Sequence, residues 1–262
     1  MIIQKNRCNG SGASESIGFL LMFTIVMAGI GLVTLYGLPM LLQQQTSADE
    51  KIMEKNMVVL QNDFKSIVYK TIPFKETSMR IASGALSVNN EDTSGPTFTI
   101  ADGSNNYLTD YRTGDLRYRS SQSEAEISLQ NGAVVKRDYT QSMGSTMLAQ
   151  PRWYYDAKSN GGTLVLNMMA INSSSGMSRE GIGTVQMELG ETGYQYISPV
   201  SGDVKVVYTY DVGQDYSKAW DNYFLISFGA TPTISGPRSR TYTIGGVDTL
   251  VIKTTDIVIR SV

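Results

Sequence analysis

No charged residue falls between Ile17 and Leu42, and no other feature of this 262-residue chain limits its folding so tightly. Those 26 positions make roughly 39 Å of α-helix at about 1.5 Å per residue. The hydrocarbon core of a bilayer is roughly 30 Å thick, so the stretch spans it with tilt or with a turn emerging at one side. A spanning segment must satisfy its own backbone, which selects a helix over a strand. Gly29, Gly31 and Gly37 would allow close helix approach in lipid, and Pro39 is expected to bend the far end. Lys5 and Arg7 precede the span and Asp49-Glu50-Lys51 follow it. The bias of basic residues therefore puts the N-terminus in the cytoplasm and the C-terminal domain outside.

Glu15 stands at the entrance to this stretch, where an ionised carboxylate is costly unless paired. A cut between Gly10 and Ser11 would make Glu15 the fifth residue of the mature chain. It would also create an α-amine, a cation near neutral pH and a natural partner for the acid. With basic Lys5 and Arg7, small Gly10, Glu15 five places on and the apolar run from Ile17, the N-terminus resembles that of the type IV pilin superfamily, archaeal pilins and archaellins included. The position before Gly10 departs from that pattern, being Asn9 where a basic residue is common.

The resemblance implies a class III signal peptide and a prepilin peptidase that removes residues 1–10 on the cytoplasmic side. It implies also that Glu15 pairs with a terminal amine as helices stack. The expected partners are the membrane, the peptidase, a pilus assembly platform with its ATPase, and other pilin subunits. Two other readings stay open. An uncut N-terminal anchor has the same hydropathy. A secretory signal peptide would use Thr46-Ser47-Ala48 as its cut site, although its apolar region should be only about 7–15 residues long.

Past the span, Met53, Met57, Leu60, Phe64 and Ile67 recur at alternating steps of four and three, a helical stripe flanked by charges. The helix is thus expected to run on to about Thr71 and to stop at Pro73. The stripe packs either on the chain's own outer domain or on another subunit. The expected organisation is a leader, 1–10; a helix, 11–72, with its span at 17–42 and amphipathic extension at 47–71; and an outer domain, 73–262.

Beyond Pro73 short alternating runs are separated by turn residues, as at Asn89–Pro96. Strands are read at Thr97–Ile100, Leu116–Tyr118, Thr163–Leu166, Thr184–Leu189, Val204–Tyr210, Leu250–Ile252 and Ile257–Ile259. The clearest hairpin is Glu126–Gln130 and Ala133–Val135 about an Asn131-Gly132 turn. Tyr216, Trp220, Tyr223 and Phe224 have helical spacing, with Asp215 placed to cap. The fold class is α+β, a long N-terminal membrane helix followed by a β-rich, sandwich-like antiparallel ectodomain. Gly114–Tyr118 and Asn131–Val134 before Pro151 are similar to an uncharacterised family of archaeal pilin-anchored surface proteins, which implies location and not activity.

Composition narrows the chemistry. The chain has no histidine, which removes Ser-His-Asp and Cys-His catalysis and histidine-based metal sites. Its one cysteine, Cys8, lies in the leader, so the mature chain has no disulfide framework. Net charge is −2, and loss of Lys5 and Arg7 leaves 20 basic against 24 acidic residues, or −4, which is no footprint for nucleic acid. Gly181-Ile-Gly183 lacks a third glycine and reads as a turn.

Glu188 and Glu191 are weak candidates for paired glycosidase carboxylates. Asp102, Asn105, Asn106 and Asp110 form an acidic, oxygen-rich loop that could hold calcium, without EF-hand spacing. Trp153-Tyr154-Tyr155 is a candidate stacking surface. Asn172-Ser173-Ser174 is a candidate N-glycosylation acceptor in a Ser-rich turn. No cofactor and no catalytic set is expected. The expectation is a structural surface protein, a major or minor pilin-like subunit of an archaeal filament or of its base. The alternative is a monomeric anchored ectodomain that binds a glycan, an envelope component or a surface.

Overall fold

A computed structural model describes residues 11–90, 95–139, 144–158 and 161–262. It is α+β: a long apolar N-terminal helix followed by a mostly antiparallel β-rich domain. Helix α1 (Ser11–Leu32) passes through a π-helical turn (Val33–Gly37) into α2 (Leu38–Lys70). In that turn Leu38 N–H reaches back to the carbonyl of Val33. Pro39 cannot donate to Leu35, and its ring would press on that carbonyl in a regular helix; the wider turn gives it room.

The strands are β1 (Phe74–Asn89), β2 (Thr97–Ala101), β3 (Asn106–Arg112), β4 (Asp115–Ser120), β5 (Ala125–Gln130), β6 (Ala133–Asp138), β7 (Ser145–Ala149) and β8 (Tyr154–Asp156). They continue with β9 (Gly162–Ser173), β10 (Met177–Ile197) and β11 (Val204–Thr209). Helix α3 (Ser217–Phe228) precedes β12 (Pro232–Gly236), β13 (Ser239–Ile244) and β14 (Val247–Ser261). A nine-stranded sheet has the order β7-β6-β5-β4-β1-β10-β14-β9-β8, and a five-stranded sheet the order β12-β13-β11-β2-β3. Among the described residues every pair is antiparallel except β14 with β9.

The chain divides into two compact units, Met1–Ala48 and Asp49–Val262. The division falls inside α2 and not at its end, because the stripe on the outer part of the helix belongs to the domain core. Met53, Met57, Leu60, Phe64 and Ile67 are all 0% exposed. They lie with Leu116 and Tyr118 of β4, Ile127 and Leu129 of β5, and Met187 of β10. The stripe is therefore occupied by its own sheet, and the reading that sent it to another subunit is set aside. Polar groups fix the helix on either side of the stripe. The Gln61 amide donates to the carbonyls of Gly132 (2.7 Å) and Gln150 (2.8 Å). Asp63 pairs with Lys75 at 2.5 Å, and Lys136 bridges Glu50 (3.0 Å) and Glu54 (2.6 Å).

Neighbouring residues of one strand point to opposite faces. On β9, Met169 and Ile171 join the core under α2, whereas Leu164, Leu166 and Met168 join a second core. That second core holds Phe98, Val206, Tyr208 and Tyr242 of the five-stranded sheet and Trp220 and Phe224 of α3. The domain thus has three layers: α2, the nine-stranded sheet, and the five-stranded sheet with α3.

The β5–β6 hairpin turns at Asn131 (φ 46°) and Gly132 (φ 70°), the left-handed pair that a two-residue turn requires. A Cβ on Gly132 would meet Met169 Sδ at 2.9 Å, while Asn131 Oδ1 accepts from Met169 N–H at 2.9 Å. Tyr216 and not Asp215 stands at the N-cap of α3, without a side-chain cap; Asp215, one residue earlier, accepts from Ser217 N–H at 2.8 Å.

Phe64→Ala should cost about 3–5 kcal/mol, since it empties a fully buried site. Val59→Ala, on the half-exposed back of the same helix, should change stability by less than about 0.5 kcal/mol. Denaturant titration of the detergent-solubilised protein checks both; equal effects would contradict the burial described.

Candidate functional site

The N-terminal helix is apolar around its whole circumference. Phe19, Leu20, Met22, Ile25, Val33 and Leu35 are each 62–74% exposed. Such a surface is unfavourable in water and at home in lipid. Its threonine hydroxyls turn inward to the backbone, for Thr24, Thr34 and Thr46 donate to the carbonyls of Leu20, Ile30 and Leu42 at 2.7–2.9 Å. One helix from Glu15 to Lys70 is long and apolar enough to cross a membrane. Glu15 is exposed and is the only carboxylate before Asp49. Gly10 lies outside the described residues, and Ser11 is the first helical residue among those described. Ser11 and Glu15 stand four positions apart, on one helix face and separated by about 6 Å of rise.

The other sequence-derived candidates lie apart from this helix. Asp102 uses its oxygens for the turn before β3: Oδ1 accepts from Ser104 N–H (2.8 Å) and Asn105 N–H (2.7 Å). Its Oδ2 accepts from Tyr107 O–H (2.5 Å) and Ser201 N–H (3.0 Å). Four donors occupy the lone pairs that a cation would need. The Tyr107 hydrogen bond, reinforced by these backbone donors, holds the carboxyl well below the usual carboxylate range. Asn106 and Asp110 are in β3 and not in a loop. No group of three or more metal-ligating side chains forms among the described residues.

Glu188 pairs with Arg260 at 2.7 Å on the exposed side of β10 and β14. Trp153 packs into the aromatic core beside Trp220 (ring centroids 5.7 Å apart), while Tyr154 is 60% exposed. Asn172 is half-buried in β9, in register with Val258; the turn begins only after Ser173.

The structure also assembles a group that no sequence spacing indicated. Asp115 and Glu126 are 1% and 3% exposed. Arg117 meets Asp115 at 2.8 Å, and Ser128 (2.7 Å) and Asn89 (2.7 Å) also donate to it. Arg137 meets Glu126 at 2.9 Å, and Tyr216 donates to the same Glu126 oxygen at 2.5 Å. Both guanidiniums reach across to the segment before α3, Arg117 to Gln214 Oε1 (2.5 Å) and Arg137 to the carbonyl of Gly213. Burial opposes the charge on each arginine, but Asp115 and Glu126 outweigh it and raise both above the ordinary guanidinium range. Burial and the neighbouring Glu126 push the Tyr216 phenol far up, so it stays a donor. Two buried ion pairs, Asp115–Arg117 and Glu126–Arg137, thus make a clamp between the nine-stranded sheet and the segment before α3.

One family pattern matches residues 12–260, so the chain belongs to DUF7289, described as a family of unknown function. No curated protein and no solved structure matches it.

Glu126→Ala should destabilise by about 3–5 kcal/mol, because Arg137 is left buried without its partner. Glu126→Leu combined with Arg137→Met should cost less than either single change. Unfolding free energies of wild type, Glu126→Leu, Arg137→Met and the double variant decide it; additive losses would rule out a coupled pair. Acidification tests Asp102. Its folded pKa is depressed, so its contribution is complete above the ordinary aspartate value of about 3.9 and is lost as pH falls below that. Asp102→Asn should lower stability near neutral pH and flatten that part of the acid limb in melts taken between pH 2 and pH 6.

Proposed function

We propose that this protein is a pilin-like structural subunit of an archaeal type IV pilus-like filament or of its base. The observation that carries the reading is a helical stretch apolar on all sides whose only carboxylate before Asp49, Glu15, sits at its edge, one turn from Ser11. A membrane alone would explain the apolar surface. It would not explain an acid at that position, which favours a cationic partner. A terminal amine at Ser11, released by a prepilin peptidase cutting after Gly10, supplies such a cation, either within the chain or from a neighbouring copy. Before assembly the protein is held in the membrane by this one helix, with its N-terminus cytoplasmic and its β-rich domain outside. A platform and ATPase would then draw subunits into the filament. The role is mechanical and not enzymatic. The satisfied Asp115–Arg117 and Glu126–Arg137 pairs are in keeping with a domain built to hold its shape.

Intact-mass analysis of protein from native membranes should give a chain starting at Ser11. Glu15→Gln should leave the protein abundant in the membrane but reduce its share of the sheared surface fraction by at least tenfold. A chain still carrying Met1, or unchanged recovery of the variant from that fraction, would overturn the proposal.

A further inference from the structure

Where α2 ends, the nine-stranded sheet keeps an uncovered corner made of β10, β14, β9 and β8. Strand register places Tyr196, Val251, Val165 and Tyr154 in one row across these four strands. Residues in register project from the same face. It is the face that carries Met169 into the core under α2. The helix stops at the next row, where Lys253 donates to the carbonyl of Val68 at 3.3 Å and Tyr194 is in register with it. On the far side Thr249 and Thr163 continue the face, and Ser198 is hydroxyl-bonded to Thr249 at 3.2 Å.

Three tyrosines stand on this corner with their rings in water: Tyr154 is 60% exposed, Tyr194 68% and Tyr196 63%. Val165 and Val251 form a half-buried floor between them. Three strand spacings separate Tyr196 from Tyr154, roughly 14 Å. A single exposed aromatic residue calls for no explanation, but three around one apolar floor make a continuous surface.

The chemistry of the corner restricts what fits it. Its bordering cations are engaged, Lys253 with Val68 and Arg152 over the Tyr69 ring at 4.5 Å. The Asp156–Lys158 pair, 3.1 Å apart, cancels its own charge at the edge. Lys253 and Arg152 keep their charge at the border beside α2, but the row itself, Tyr196, Val251, Val165 and Tyr154, holds no charged side chain and so nothing to pair with a phosphate. It is a sheet surface and not a groove, so it does not receive an apolar helix. The negative faces of tyrosine rings attract the partly positive C–H bonds of a pyranose, and phenol, threonine and serine hydroxyls can exchange hydrogen bonds with its hydroxyl edge. We propose that this corner binds a neutral polysaccharide, with Tyr154 and Tyr196 stacking on sugar rings at the two ends of the site. The proposal requires neither Glu15 nor leader removal, and a single anchored copy is sufficient.

The test is affinity electrophoresis of the full-length protein in detergent through gels that contain yeast mannan, laminarin, hydroxyethyl cellulose or amylose. At least one polymer should retard the protein. Tyr154→Ala and Tyr196→Ala should each raise the apparent dissociation constant about 3–10-fold. Tyr154→Phe, which keeps the ring, should retain most of the binding. Ile226→Ala, at a 79% exposed position on α3, should have no effect. Retardation by none of the four polymers, or equal retardation of the two alanine variants and wild type, overturns the proposal. So does a change in self-association, measured by light scattering, with no change in retardation; that would mark the corner as a contact between copies.

Discussion

The domain depends on one contact, the burial of the Met53–Ile67 stripe of α2 against the nine-stranded sheet. Five fully buried side chains contribute on the order of 1.5–3 kcal/mol each by removal from water. The contact also explains why so large a sheet holds a definite shape. Its central strands β4, β1 and β10 have one apolar face under the helix, so a slip of one residue in any of them would turn that face outward. Gln61 makes the match exact at the hairpin end, since its amide meets the carbonyl of Gly132 in the turn itself. The helix therefore sets the register of β5 and β6 as well as covering them.

The opposite face of the same strands is organised by charge. Asp115, Arg117, Glu126 and Arg137 alternate with Leu116, Ile127, Leu129 and Val134, the pattern of a sheet with one wet side. That side is roofed by the Gly213–Tyr216 segment, which donates one hydroxyl and accepts from both arginines. Two oppositely charged pairs, fully bonded, can be enclosed at a tolerable cost where any one charge alone could not. The clamp joins the third layer to the nine-stranded sheet, beside Val135 and Tyr216 of the second core.

The parts that were legible in the sequence were those with a strict local period or a specific turn. The stripe on α2, the stop before Pro73, the Asn131-Gly132 hairpin and β11 all have a signal within a few residues. β1 had none, because Ser83 (φ 43°) and a bulge between Ile81 and Ala85 break its alternation and bury both Ile81 and Ala82. β3 was concealed by its asparagines and aspartates, which read as a loop until Asp102 is seen to bind four donors. The clamp was illegible for another reason. A row of alternating charges looks the same whether water or a second layer covers it, and only register brings Glu126 opposite Arg137. The tyrosine corner needed register too, since Tyr154, Tyr194 and Tyr196 lie on two strands distant in sequence.

These constraints bear on how copies of the chain could associate. A helix that offers one apolar stripe can satisfy one partner, and from Asp49 onward that partner is the chain's own sheet. The amphipathic extension is therefore committed before any second copy arrives. Association through the helix falls to the residues before Asp49, where the surface is apolar on every side and has no geometry of its own to choose a partner or a stagger. Apolar packing in lipid is nearly indifferent to axial position, because every neighbour resembles the acyl chains it displaces. A single carboxylate changes that, since it is satisfied at one axial position relative to a cation and costly at the rest. If helices stack, Glu15 is the residue able to fix their stagger, and the glycines at 29, 31 and 37 can then set only how closely they approach.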